Sequence, residues 1–285
     1  MKRTLQICLG GLVCTAILMG IGVATADKAA IADQLPSAYA QLTGDYRQDA
    51  KVHHALDLSD QRFDSLYLDI DAADITITSG DTASVEYWGE SDFLECKVEN
   101  GTLKLSSSKQ SSYWQNHREV QLVLPQSKLN TVVFKNEASS INVEYPISCN
   151  SLSVDLDAGS IDINEKLVCK TLTADIDAGA FCATSSDVEI GSFRFDIDAG
   201  SAWLNGIVRE DSEVVCDAGS FELFQSSGSG LGTLNVKGKN FADIWINDGS
   251  LPQGVNSATI GTGEAVLTVK ADAGSINIYT PDYGE

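Results

Sequence analysis

The chain has 285 residues and a formal net charge of −21 at pH 7, from 40 acidic and 19 basic side chains. Such a body repels nucleic acid and anionic lipid, which excludes both as partners of its surface and points instead to cations, basic proteins or neutral polymers. Five Pro, 24 Gly and the lack of a useful helical period after residue 60 indicate one large all-β body with frequent corners.

Met1-Lys2-Arg3 precedes an uncharged run over residues 4–26. As a helix this run spans roughly 34 Å at about 1.5 Å per residue, enough to cross a hydrocarbon core of about 30 Å. A positive start and an apolar middle fit export, with Lys2 and Arg3 left in the cytoplasm. Two readings stay open: an uncleaved transmembrane anchor, which the length of the run favours, or a signal peptide cleaved near Ala26, since Ala24-Thr25-Ala26 suits a signal peptidase. The expected location is the cytoplasmic membrane, with a single N-terminal anchor and an extracellular body; the alternative is secretion after cleavage. Residues 27–60 are polar and read as a stalk, partly helical near 29–42. His53-His54 lies there, and two adjacent side chains make a poor metal site.

The domain expected to follow covers residues 61–285. Leu68-Asp69-Ile70-Asp71 and Asp74-Ile75-Thr76-Ile77 open it with alternating strands. Residues 94–98 and 103–106 flank Asn100-Gly101 and read as a hairpin, because Asn-Gly favours a tight primed turn. Regular spacing then sets in. Asp157-Ala158-Gly159-Ser160 is followed by Asp177-Ala178-Gly179-Ala180, Asp198-Ala199-Gly200-Ser201 and Asp217-Ala218-Gly219-Ser220, at steps of 20, 21 and 19 residues. A last copy stands at Asp272-Ala273-Gly274-Ser275. Apolar residues alternate before each corner (Leu152, Val154, Leu156) and after it (Ile161, Ile163), so each strand has one buried face. The fold class is therefore a right-handed parallel β-solenoid, β-helix-like, with coils of about 20 residues. Residues 134–143 and 240–246 fit as degenerate coils before and after the clean copies.

Gly159, Gly179, Gly200, Gly219 and Gly274 are the structural turn residues, expected to supply a backbone conformation that a Cβ opposes. The aspartates ahead of them are expected to accept hydrogen bonds from nearby backbone N–H groups. Coils stack about 4.8 Å apart, so Asp157, Asp177, Asp198, Asp217 and Asp272 form one ladder and Asp155, Asp175 and Asp196 another. Asp157, Asp177, Asp198 and Asp217 are weak calcium candidates, set against their plainer role as turn formers on a solvated surface. Dedicated metal sites are not expected, because the nonapeptide of calcium-binding β-rolls is missing.

Cys149 and Cys169 each stand eight residues before a corner aspartate, so they should stack on adjacent coils, as buried thiols or as a bridge. Cys216 takes an inward position. Trp203 and Trp245 share an outward position with Glu222 between them, and are the candidate binding residues, either for sugar rings or for a partner protein. No nucleophile elbow, catalytic triad, phosphate loop or cofactor motif is found.

The start at residues 63–81, the repeated Asp-Ala-Gly-Ser-Ile and the end Val269-Lys270-Ala271-Asp272-Ala273-Gly274-Ser275-Ile276 resemble the putative-adhesin, β-strand-repeat family. The resemblance covers roughly residues 60–285. It implies a solenoid domain of the bacterial envelope, commonly with one N-terminal membrane segment, and supplies no catalytic residues. The expected function is an extracytoplasmic, membrane-anchored binding or scaffold module, adhesin-like and without catalysis. Its partner would be an envelope protein or a cell-wall polymer, with residues 4–26 in the membrane. Alternatives are an envelope-stress or sensor accessory protein and a polysaccharide-acting β-helix enzyme.

Overall fold

The computed structural model describes residues 52–89, 93–107, 118–239, 242–247, 249–252 and 254–280. The expected membrane segment 1–26 and residues 27–51 of the expected stalk lie outside them. Every described element is a strand. The chain opens with β1 (Val52–Asp57), β2 (Ser65–Asp69), β3 (Asp74–Gly80), β4 (Ser84–Gly89), β5 (Leu94–Glu99), β6 (Thr102–Ser107) and β7 (Glu119–Pro125). It continues with β8 (Thr131–Asn136), β9 (Ser140–Glu144), β10 (Ile147–Leu156), β11 (Ser160–Ile163), β12 (Leu167–Ile176), β13 (Ala180–Ala183), β14 (Val188–Ile197), β15 (Ser201–Val208), β16 (Ser212–Cys216) and β17 (Ser220–Gln225). It closes with β18 (Leu231–Lys239), β19 (Asp243–Ile246), β20 (Gly249–Ser250), β21 (Ser257–Thr259), β22 (Ala265–Ala271) and β23 (Ser275–Tyr279).

These strands form a parallel β-solenoid. One side runs β1-β4-β7-β3-β9-β11-β13-β15-β17-β23-β19-β20. The other runs β5-β6-β2-β8-β10-β12-β14-β16-β22-β18-β21. Antiparallel pairs occur only towards the ends of these runs. The last residues of β15 pair with β14 and join the two sides.

The period-two pattern produces this stacking. Val154, Ala174 and Phe195 are register partners and all point inward. Side-chain size is balanced within each coil: Ala174 accompanies Phe181, and Ala202 accompanies Phe195. Phe181, Phe193, Phe195 and Phe221 meet at ring distances of 5.2–5.7 Å. Close packing demands such compensation, since neither a void nor an overlap is tolerated cheaply. In β10, two consecutive outward residues, Asn150 and Ser151, reset the alternation between Cys149 and Leu152. The same slip recurs in β12 and β14, and turns a corner without ending the strand.

The glycine expectation is corrected in its reason. Of the five corner glycines only Gly159 has a positive φ, at 110°. The others are needed for space. A Cβ on Gly200, Gly219 or Gly274 would fall on the carbonyl oxygen of the preceding corner glycine, and one on Gly179 would meet the Leu156 side chain. Close approach of backbones, rather than a left-handed conformation, excludes a side chain there.

At each end the stacking order departs from chain order. The β2–β3 coil lies between the β6–β7 and β8–β9 coils. The β22–β23 coil lies between β16–β17 and β18–β19. Strand β19, in the stretch 240–246 expected directly after the fourth clean copy, is thus displaced outward by the fifth. The physical reason is the corner. Gly274 lets residues 272–275 settle on Gly219, with Ala273 N–H donating to the Asp217 carbonyl at 2.7 Å. The β5–β6 hairpin forms as expected, with φ of 50° at Asn100 and 76° at Gly101. Residues 52–57, inside the expected stalk, instead form β1 on an edge of the sheet. There His53 stacks on Trp88 at 4.9 Å and His54 on Tyr87 at 4.5 Å.

Candidate binding surface

Trp203 on β15, Glu222 on β17, Asn277 on β23 and Trp245 on β19 are consecutive register partners. Their parity points all four away from the core. Trp203 is 43% exposed and Trp245 39%, whereas most large apolar side chains among the described residues are buried. Three strand steps of about 4.8 Å put the two indoles roughly 14 Å apart. The shorter Glu222 and Asn277 lie between them, joined by a hydrogen bond from Asn277 Nδ2 to Glu222 Oε1 of 3.3 Å. Two residues further along the strands, Phe224 and Tyr279 stack at 4.3 Å with ring planes 10° apart. Trp203 closes on Phe224 at 5.7 Å. On the opposite flank Ser220, Ser275 and Asp243 are in register. The result is a polar-floored trough with an indole at each end and a wall of stacked rings.

The second outward feature is acidic. Asp155, Asp175 and Asp196 are register partners. Lys135 caps this column through Asp155 at 3.1 Å, and Arg194 reaches Asp196 at 3.4 Å. At the corners, Asp157, Asp177, Asp198 and Asp217 carry no side-chain hydrogen bond to any described residue, contrary to the expected capping role. The reason is that the corner N–H groups are already taken. Ala178 donates to the Asp157 carbonyl at 2.9 Å, Ala199 to Asp177 at 2.8 Å and Ala218 to Asp198 at 2.7 Å. The carboxyls of Asp175, Asp177 and Asp217 are pushed above the ordinary Asp value by partial desolvation and then by neighbouring carboxylates. Among the described residues no three His, Cys, Asp or Glu side chains are grouped as metal ligands.

Residues 63–284 match the family described as Toastrack DUF4097. The chain belongs to the Toastrack DUF4097 family. Similar solved structures include a putative adhesin from Bacteroides fragilis, 13% identical over 80% of this chain and 98% of that one, TM-score 0.47. A putative lipid binding protein from Parabacteroides distasonis is 12% identical over 81% of this chain and 97% of that one, TM-score 0.43. A putative cell adhesion protein from Clostridium sporogenes is 13% identical over 81% and 99%, TM-score 0.35. Likeness at this level says nothing of what this chain binds. No curated protein matches the chain.

On the other side of the Toastrack solenoid several charged groups pair with one another. An open cleft of about 340 Å³ is lined by Thr171, Ser192, Arg194, Asp211, Glu213 and Lys237, among others. Its Glu213 accepts from Lys270 at 2.7 Å and pairs with Arg194, and the Lys270 bond holds its carboxyl below the usual range. The described cysteines are free thiols. Cys149 and Cys169 are register partners, buried, with their thiols in mutual contact, and that contact together with burial pushes the Cys169 thiol up. Cys216 sits in the core beside Ile197. Burial raises Cys96 and Cys182 to about 11, which suits packing rather than nucleophilic chemistry.

Of the trough, Trp203, Glu222 and Trp245 are visible in the sequence as one outward column. Phe224 and Tyr279 are not singled out there, although both share the parity of that column. Asn277 enters only because the last coil is inserted.

Proposed function

We propose that this Toastrack protein is a binding module without catalysis, held at the outer face of the cytoplasmic membrane by residues 4–26. It presents the trough between Trp203 and Trp245 to an envelope protein or cell-wall polymer. One observation carries the reading: two half-exposed indoles bracket a polar floor on a rigid sheet whose other large apolar side chains mostly face inward. Exposed tryptophans at fixed separation on a stiff scaffold are how proteins hold ligands without remodelling. The apolar run behind Lys2 and Arg3 supports the outward orientation of the body.

The test uses the full chain in its membrane. Protease added to intact cells should remove the body while a cytoplasmic control survives. Envelope material cross-linked to the wild type should be lost with Trp203→Ala/Trp245→Ala, provided that variant melts like the wild type. A body protected from protease would refute the orientation. Undiminished cross-linking by the double variant would refute the trough.

A further inference from the structure

We infer that the trough receives arginine side chains from a basic segment of a partner protein, an assignment that rests on the trough being the binding surface. The argument begins with pairing. The corner Asp157, Asp177, Asp198 and Asp217 make no side-chain hydrogen bond or ion pair with a described residue, but most exposed acids that do reach another coil end on a base: Asp155 on Lys135, Glu189 on Arg209, Glu213 on Lys270 and Arg194. Glu222 ends on none among the described residues. Its described partner is the Asn277 amide, through one oxygen. A carboxylate accepts about four hydrogen bonds, so most of its capacity is left for a further donor. Asp243, on the flank beside Ser275, likewise holds no ion pair among the described residues.

The surroundings select the kind of cation. Glu222 has Trp203 beside it on the neighbouring strand and Phe224, stacked on Tyr279, two residues along; Asp243 has Trp245 two residues along its own strand. A carboxylate beside aromatic rings suits a group that is charged, planar and weakly hydrated. Guanidinium meets all three: it forms a two-point bond with a carboxylate and lies on an indole, whereas ammonium keeps its water. Glu222 and Asp243 stand two strands apart and two residues along, roughly 12 Å for a strand spacing of about 4.8 Å and a rise of about 3.4 Å, which matches about three to four residues of extended chain, so a segment with two arginines can engage both acids. A net charge of −21 draws such a segment in and turns anionic polymers away.

The experiment titrates full-length protein in detergent with blocked hexapeptides carrying two arginines, two lysines or two citrullines, following tryptophan fluorescence and heat. Citrulline keeps the shape of arginine and removes its charge. A chitin tetrasaccharide serves as the neutral glycan. The arginine peptide should bind at least about tenfold tighter than the citrulline peptide, and Glu222→Gln should erase most of that gap, the scale of one charge-assisted contact. Asp175→Asn removes the same charge from the opposite side and should change affinity less than about twofold. Equal losses from the two variants would mean a diffuse field and overturn the inference. So would citrulline or lysine binding as tightly as arginine. Tetrasaccharide binding that depends on Trp203 and Trp245, with no arginine preference, would overturn it while leaving the trough as the binding surface. If Trp203→Leu/Trp245→Leu changes neither peptide nor envelope binding, the trough itself fails.

Discussion

The coils from 131 to 225 and those from 231 to 279 are built of the same strands, yet only the first group stacks in chain order. In the middle, each corner Asp-Ala-Gly receives the next, and sequence adjacency and spatial adjacency agree. Near the C-terminus the coil with the matching corner comes last in the chain but takes the inner place. The contrast teaches that the corner, more than the strand pattern, decides who stacks on whom. Strand parity is shared by every coil; a backbone that can lie on the preceding glycine carbonyl is not.

The sharpest way to break this comparison is at the corners. Gly200→Val, in the middle, should cost about 3 kcal/mol or more, because the new atoms fall on backbone that cannot yield. Gly274→Val should cost as much, although it lies near the end of the chain. Chemical denaturation reads both, and a mild effect at Gly274 would show the last coil to be outermost after all. Gly228→Ala, in open space at φ 84°, should cost only about 1 kcal/mol.

A smaller contrast is expected in the core. Ile176 has Leu156 on one side and Ile197 on the other. Ile244, on the displaced coil, has Ile276 as its only parallel neighbour among the described residues. Removing each side chain to Ala should cost about 4 kcal/mol at Ile176 and about 2 at Ile244, since a cavity with fewer rigid walls collapses further. Equal losses would place residues 243–246 as firmly in the stack as the middle coils.

The smallest effects concern the stacked acids of the middle coils, on the strands and at the corners. Raised carboxyls at Asp175, Asp177 and Asp217 mean that the native chain takes up protons above the ordinary 3.8, before the unfolded chain does. Their ionised forms therefore subtract stability at neutral pH, and the loss is recovered as pH falls through the raised native-state values toward the ordinary 3.8. Glu213, held low by Lys270, works in the opposite direction. The informative quantity is thus the difference in melting temperature between wild type and Asp175→Asn/Asp177→Asn/Asp217→Asn, which should shrink as pH falls. Calcium and magnesium at equal ionic strength should raise the wild-type melting temperature alike, by screening. A calcium-specific rise lost in the triple variant would instead make cation bridging part of the ladder.

Much of this is legible in the sequence alone. Period two fixes the inward columns, as at Val154, Ala174 and Phe195, and the spacing of Asp-Ala-Gly fixes the corner column. What stayed hidden was tertiary. Residues 52–57 show little alternation to read, because both faces of an edge strand are exposed. The corner aspartates look like turn caps until the preceding coil is seen to hold the N–H groups they would need. Half of the trough is invisible for the same reason that the stack order is: Asn277 and Tyr279 reach Trp203 and Trp245 only through a choice of neighbour made some fifty residues away.

That choice has a mechanical side. A strand on the rim of a stack yields to tension one hydrogen bond at a time, like a zip. Ser275–Tyr279 has a ladder on both flanks, to β17 and to β19. Tension applied at Thr280 along the strand must slide it against both ladders together, so the load is shared across many bonds rather than concentrated on one. The proposed binding role would put this body under load, and its last described strand is set where pulling is resisted best.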